Sequence, residues 1–133
     1  MAGVGIVRYL LANNSGLITV VPAARIYAGD VPLKTALPAI SVRQISGVPR
    51  NTVSMAHTTI YVQDRVQVTV YTKTYPLQKS TLELVRDALP VTHGTVNGFV
   101  CEAILPDNEG PDFYDDIDLI YEQSQDFMVA YRR

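Results

Sequence analysis

Residues 65–89, RVQVTVYTKTYPLQKSTLELVRDAL, hold the change of period on which the fold turns. The first half alternates. Val66, Val68 and Val70 share one parity with Ile60 and Val62 upstream, while Arg65, Gln67, Thr69 and Tyr71 share the other with Thr59, Tyr61 and Gln63. A two-residue period rich in β-branched side chains marks a strand with one buried face, predicted here over residues 58–72. Asp64 interrupts the apolar row, so a bulge or a sheet edge open to water is expected around it. The second half then shifts to helical spacing. Thr74-Tyr75-Pro76 opens a helix running to about Leu89, with proline suited to the first turn. Leu77, Thr81, Leu84, Val85 and Ala88 form its apolar stripe, and Lys79, Glu83 and Arg86 lie mainly on the other side. Pairs such as Glu83 or Asp87 with Lys79 or Arg86 contribute only a few tenths of a kcal/mol. Burying each Leu or Val contributes roughly 1.5–3 kcal/mol, so packing decides the helix. Val66, Val68 and Val70 are expected to face the helix that carries Leu77, Leu84 and Val85.

The flanks extend this strand–helix unit. Upstream, Val4, Ile6, Val7, Leu10 and Leu11 give rows at helical spacing, predicting a helix over residues 3–13 that Asn13-Asn14-Ser15-Gly16 stops. Gly3 and Gly5 make no dinucleotide motif, because the third glycine and a preceding strand are missing. Short strands are predicted over 23–28 and 39–46, with Gly29-Asp30-Val31-Pro32 as turn chemistry between them. No period survives in 47–57, read as a long loop. Downstream, 96–105 reads as a strand whose apolar residues fall on both parities, suggesting cover on both faces. The stretch from Pro106 to Pro111 reads as an acidic loop. In the final strand, 117–131, Ile117, Leu119, Tyr121, Phe127, Val129 and Tyr131 share a parity that Gln123 and Gln125 interrupt. The residues 47–57 and 107–116 are expected to be mobile in a free subunit and to order on assembly. Together these elements predict one α+β domain over 1–133, a mostly antiparallel sheet with two helices on one face.

Composition agrees with a single core. The chain has 133 residues, 47% hydrophobic and 18% charged, and a domain of that length buries about two-thirds of its unfolded surface. The N-terminal apolar run is interrupted by Arg8 and lacks a basic leader, so neither a targeting segment nor a membrane span is expected. Cys101 is the single cysteine, which leaves no internal disulfide and no cysteine-based zinc site. Charge is uneven: residues 1–100 hold nine Lys/Arg against four Asp/Glu, a net +5, and residues 101–133 hold two against nine, a net −7. Such an asymmetry serves association between copies or partners if it survives folding as two faces.

The block 65–89 resembles the central block of the tail-terminator, or tail-completion, proteins of long-tailed bacteriophages. In that family a basic-V-x-V-x-V-Y strand runs into a tyrosine-led helix ending in V-R-x-A-L. Here the matching residues are Val66, Val68, Val70, Tyr71, Tyr75, Val85, Arg86, Ala88 and Leu89. The Pro38-Ala39-Ile40 strand entry and the Tyr131-Arg132 ending also match, whereas Pro76 departs from the family helix. The resemblance implies a tail-tube-like fold and a non-enzymatic protein of the virion's tail–head junction, made in the host cytoplasm. It implies a homohexameric ring that caps the finished tube, stops its growth and offers a surface to the head-side connector, with DNA passing only through the lumen. Neither cofactor nor membrane is implied.

Other chemistries are weaker. Cys101 with His57 or His93 would make a thiol–imidazole pair, but a cysteine between Val100 and Glu102 in a strand reads as a small core residue. Asp112, Asp115, Asp116 and Asp118 offer oxygen ligands, yet their spacing matches no EF-hand. A net charge of −2 and no basic cluster argue against nucleic-acid binding as the main function. A head-closure factor or a small protein-binding module remains as an alternative. For a ring, Arg43 and Arg50 are the candidate basic contacts and Asp112, Asp115 and Asp116 the candidate acidic ones.

Overall fold

The computed structural model describes residues 2–32, 34–50, 61–89 and 94–132. Helix α1 (Ala2–Ala12) buries Val4, Ile6, Val7 and Leu11. The Asn-Asn-Ser-Gly stop does more than end it, because Asn14 starts a one-turn helix, α2 (Ser15–Ile18). Its side chain accepts the Leu17 N–H at 2.9 Å and so satisfies one orphan donor of the new helix. The predicted strand over 23–28 divides into a 3-10 turn at Ala23–Arg25 and strand β1 (Ile26–Ala28). Helix α3 (Tyr75–Ala88) begins where the sequence places it, with Thr74 Oγ1 accepting the Leu77 N–H and Pro76 in the first turn.

The other strands are β2 (Ala39–Arg50), β3 (Tyr61–Thr72), β4 (Gly94–Val96), β5 (Phe99–Glu109), β6 (Phe113–Asp115) and β7 (Ile120–Arg132). They form one sheet in the order β1-β2-β3-β7-β5-β4, with β6 also pairing β7. All pairings are antiparallel except β1 with β2. One parity of β3 supplies the core: Val66, Val68 and Val70 are fully buried in a cluster with Leu82 and Val85 of α3 and with Val4, Val7 and Leu11 of α1. The helices thus cover a single face of the sheet, as expected.

Several boundaries move. Helix α3 centres its buried stripe on Gln78, Thr81, Leu82 and Val85, while Leu77 and Leu84 are half-buried flanks; a pattern built on apolar residues passes over a glutamine at the centre. Residues 47–50, read as loop, continue β2, and Pro106 to Glu109, also read as loop, continue β5. Both misread stretches contain a proline. Pro49 pairs Val62 and Pro106 pairs Phe127, and in each case the other flank of the strand has no partner among the described residues. Proline is tolerated at such edges because its missing N–H is not needed by the ladder. The predicted strand 96–105 is a hairpin: β4 and β5 turn at Asn97-Gly98, both at positive φ. A register shift between Cys101 and Ala103 then flips the parity. This brings Cys101 and Ile104 inward and leaves Val100 and Leu105 exposed, so the mixed parity reflects a bulge and not cover on both faces. Ile117 and Leu119 precede β7 and are exposed, whereas Gln123 and Gln125 take the buried positions beside Phe127.

Of the two expectations for Asp64, the bulge is met and the open edge is not: the residue is buried, 1% exposed, and the bulge lies in the facing strand, where β2 shifts register between Gln44 and Ser46. Its carboxyl group accepts the Gly3 N–H at 3.1 Å and the Tyr131 hydroxyl at 2.9 Å. A buried acid at the amino end of α1 answers the free donors and partial positive charge of that helix terminus. Residues 58–60, together with His57 and His93, lie outside the described residues.

Candidate assembly surface

Among the described residues, two stretches of the sheet have a hydrogen-bonding edge with no strand against it. β1 pairs β2 over Ile40, Ser41 and Val42, so β2 from Arg43 onward has one described neighbour, β3. β4 pairs β5 over Phe99, Val100 and Cys101, so β5 from Ala103 onward has one described neighbour, β7. These edges stand on opposite sides of the sheet and differ in chemistry. The first is exposed from Arg43 to Pro49 and shows Ile45 and Val48. The second continues into β6 and its turn, where Leu105, Phe113, Tyr114, Ile117 and Leu119 are all exposed, Ile117 to 88%.

The acidic C-terminal third is not a free charged face. Asp107 pairs with Arg65, Glu109 with Arg86 and Asp112 with Lys79. Arg65 also lies 3.7 Å from Asp126. Basic residues of the first hundred positions therefore neutralise acids of the last third within one subunit, and the +5/−7 division of the sequence is partly folded together. Gln123 and Gln125 extend the network under α3. Lys79 Nζ donates to Gln123 Oε1 and Arg86 Nε to Gln125 Oε1, each at 2.8 Å, and Gln123 Nε2 donates to Gly110 O at 2.9 Å. The sequence signal for this network was the pair of glutamines interrupting the apolar row of β7.

The five candidate contacts fall in different settings. Arg43, on the free part of β2, pairs with Asp30. The side chain of Arg50 lies outside the described residues. Asp112 accepts from Lys79 Nζ at 2.6 Å and from the Tyr75 hydroxyl at 2.7 Å. Asp115 accepts the N–H groups of Ile117 and Asp118, closing the turn before β7. Asp116 is an exposed turn residue. Asp112, Asp115 and Asp116 thus sit together around β6. Burial pushes the Glu122 carboxyl up, Asp115 adds to the rise and Arg43 opposes it, which puts Arg43 and Asp115 within electrostatic reach of one side chain.

The Lys79 and Tyr75 contacts hold the Asp112 carboxyl below its usual range, and Asp112 raises Lys79. The stabilisation from a depressed carboxyl is present above its unfolded pKa and is lost as pH falls through the folded one; that from a raised lysine is present below its unfolded pKa and is lost as pH rises through the folded one. The pair is therefore intact at neutral pH. A carbon-detected NMR titration is expected to show Asp112 ionising below the ordinary value of about 3.9, and Lys79→Met should return the midpoint upward. An Asp112 midpoint indifferent to Lys79 would contradict the contact.

His57 and His93, the imidazoles that the sequence offers to Cys101, lie outside the described residues. Cys101 is fully buried, and burial pushes its thiol up, away from the reactive thiolate. Cys101→Ser should preserve the function of the chain while lowering stability by about 1–3 kcal/mol, because a hydroxyl enters an apolar site. Loss of function by a normally folded variant would assign the thiol a role. Among the described residues no group of three His, Cys, Asp or Glu could hold a metal ion. An open groove of about 860 Å³ lies between residues 30–37 and the start of β7, with Pro32, Leu37 and Ile120 on its walls and Lys34 and Lys73 on its lining.

The described residues thus form a one-sided α+β sheet with two chemically unlike edges. The same fold occurs in a chain from the virion of a native gene transfer agent (GTA) particle, with a TM-score of 0.74, 14% identity, and coverage of 99% of this chain and 97% of that one. No curated protein sequence matches. The family described as Tail completion protein gp17 matches residues 6–130. The chain belongs to that tail-completion family, and its role lies in phage tail assembly.

Proposed function

We propose that this protein caps the completed tail tube as a closed head-to-tail ring of six copies, stops its polymerisation and presents the surface on which the head-side connector docks. The observation that supports this most directly is the pair of unlike free edges, β2 beyond Val42 and β5 beyond Cys101. A ring requires each copy to offer two different surfaces, whereas a two-fold dimer requires one self-complementary surface. The partners are then further copies of the chain, the tail tube protein and the connector, with DNA only passing through the lumen. Arg43 and Arg50 approach the neighbour's Asp112, Asp115 and Asp116 in this reading, and the site of action is the tail–head junction after assembly in the host cytoplasm. No catalytic step or cofactor is needed.

Affinity comes from apolar burial at the edges. Exposed ion pairs contribute about 0–1 kcal/mol each and set register and encounter rate. Because Arg43 and Asp112 already have partners inside the subunit, salt should weaken the ring moderately and not abolish it. Particle mass and symmetry, measured over a salt series with and without tail tube protein, test the reading. A strict monomer that never binds the tube would defeat the capping function, and a two-fold dimer would defeat the ring.

A further inference from the structure

Residues 105–119 include no buried residue. The stretch is nonetheless ordered into the end of β5, β6 and a turn. Its backbone ladder to β7 is interrupted, with a register shift between Pro106 and Glu109 and a restart at Phe113. Three ion pairs tie its side chains to the body, Asp107 to Arg65, Glu109 to Arg86 and Asp112 to Lys79, joined by the Tyr75 hydroxyl on Asp112, the Gln123 amide on Glu109 and the Tyr114 ring against Tyr121 at 4.4 Å. The three cations come from β3 and α3, so each acid reaches back to the domain over a different point. Under these contacts Gln123 and Gln125, 5% and 4% exposed, give the body a polar surface where the rest of the β7 row is apolar.

We propose that residues 105–119 form an arm clasped to the domain by Arg65, Lys79 and Arg86, and that the arm lifts as a unit when the clasp is broken while the core stays folded. An element held by apolar burial shares the stability of the core, but one held by exposed ladder bonds and ion pairs opens at a lower free energy of its own. Lifting leaves Gln123 and Gln125 in contact with water, to which amides are suited, and the ring contact it gives up is that of Tyr114 on Tyr121. Phe113, Tyr114, Ile117 and Leu119 ride on the arm and move with it. This device does not depend on the ring: it is a property of the single subunit.

Hydrogen exchange read by mass spectrometry on the full chain tests it. At low salt, Lys79→Met with Arg86→Met is expected to speed exchange over 106–116 by about tenfold or more, the scale of losing one or two charge-assisted bonds. Exchange over 62–70 and 78–85 should stay as in the native chain. Native protein in about 1 M salt should show the same selective change, because screening then acts within roughly 3 Å. The exchanged pair, Lys79→Glu with Asp112→Lys, should restore slow exchange near residue 112 while each single change speeds it. Unchanged exchange over 106–116 in the double variant would overturn the clasp. A uniform rise across the chain would overturn the separate arm, and failure of the exchanged pair to recover would overturn the ionic basis.

Discussion

Asp64→Ala is expected to lower stability by about 3 kcal/mol, read as a fall in the urea midpoint at constant slope. The substitution leaves the Gly3 N–H and the Tyr131 hydroxyl without the acceptor that now sits 3.1 and 2.9 Å away. Each such bond to an acidic group contributes roughly 1.5–3 kcal/mol, and a buried donor left unsatisfied adds its own desolvation cost. Loss should be greatest in α1, whose amides ought to exchange faster than those of β3. Asp64→Asn keeps one acceptor oxygen and should lose less. Gly3→Ala approaches the same site from the other side: a Cβ there would lie 2.7 Å from Asp64 Oδ2 and 2.8 Å from Asp64 Cβ. Displacing α1 to make room should cost about 1–3 kcal/mol. An Asp64→Ala variant as stable as the native chain would show that the acid does not anchor the helix.

Ile45→Glu combined with Val48→Glu should produce the largest functional loss. Both side chains are nearly half exposed on the free part of β2, so the folded subunit should change by less than about 0.5 kcal/mol. In the proposed ring the same positions are covered by the neighbour. Replacing apolar contact by an unpaired charge there costs about 3 kcal/mol or more per contact, on the order of a hundredfold in affinity. Sedimentation with tube protein, together with a tail-joining assay, reads the outcome. Normal rings from this variant would remove the β2 edge from the interface, while a variant that also fails to fold would be replaced by Ile45→Gln with Val48→Gln.

The strand–helix unit at 65–89 was legible because its two halves have different and clean periods. Val66, Val68 and Val70 alternate without exception, and Thr74 with Pro76 marks a helix start through local chemistry alone. The same clarity fails where tertiary contact decides. Asp64 looks like a water-exposed interruption until α1, distant in sequence, places the Gly3 N–H against it. Gln123 and Gln125 look like interruptions of a buried row until Lys79 and Arg86 reach them from α3. Pro49 and Pro106 look like loop residues because sequence does not reveal which strands are edges. For the candidate contacts, residue type and chain position identified charged residues, but the pairing of Arg43 with Asp30 and of Asp112 with Lys79 depends on the fold.

The two edge prolines carry a consequence for the pool of newly made subunits. A long row of open N–H donors is a template on which other chains stack without limit. Pro49 on β2 and Pro106 on β5 each break that row, so a foreign strand finds only a short run of donors on either side. Fibril growth needs an uninterrupted, repeating ladder, whereas a finite contact between two folded neighbours needs only a few bonds. A concentrated stock of this protein would thus keep, with the route to amorphous or fibrous by-products narrowed on both flanks.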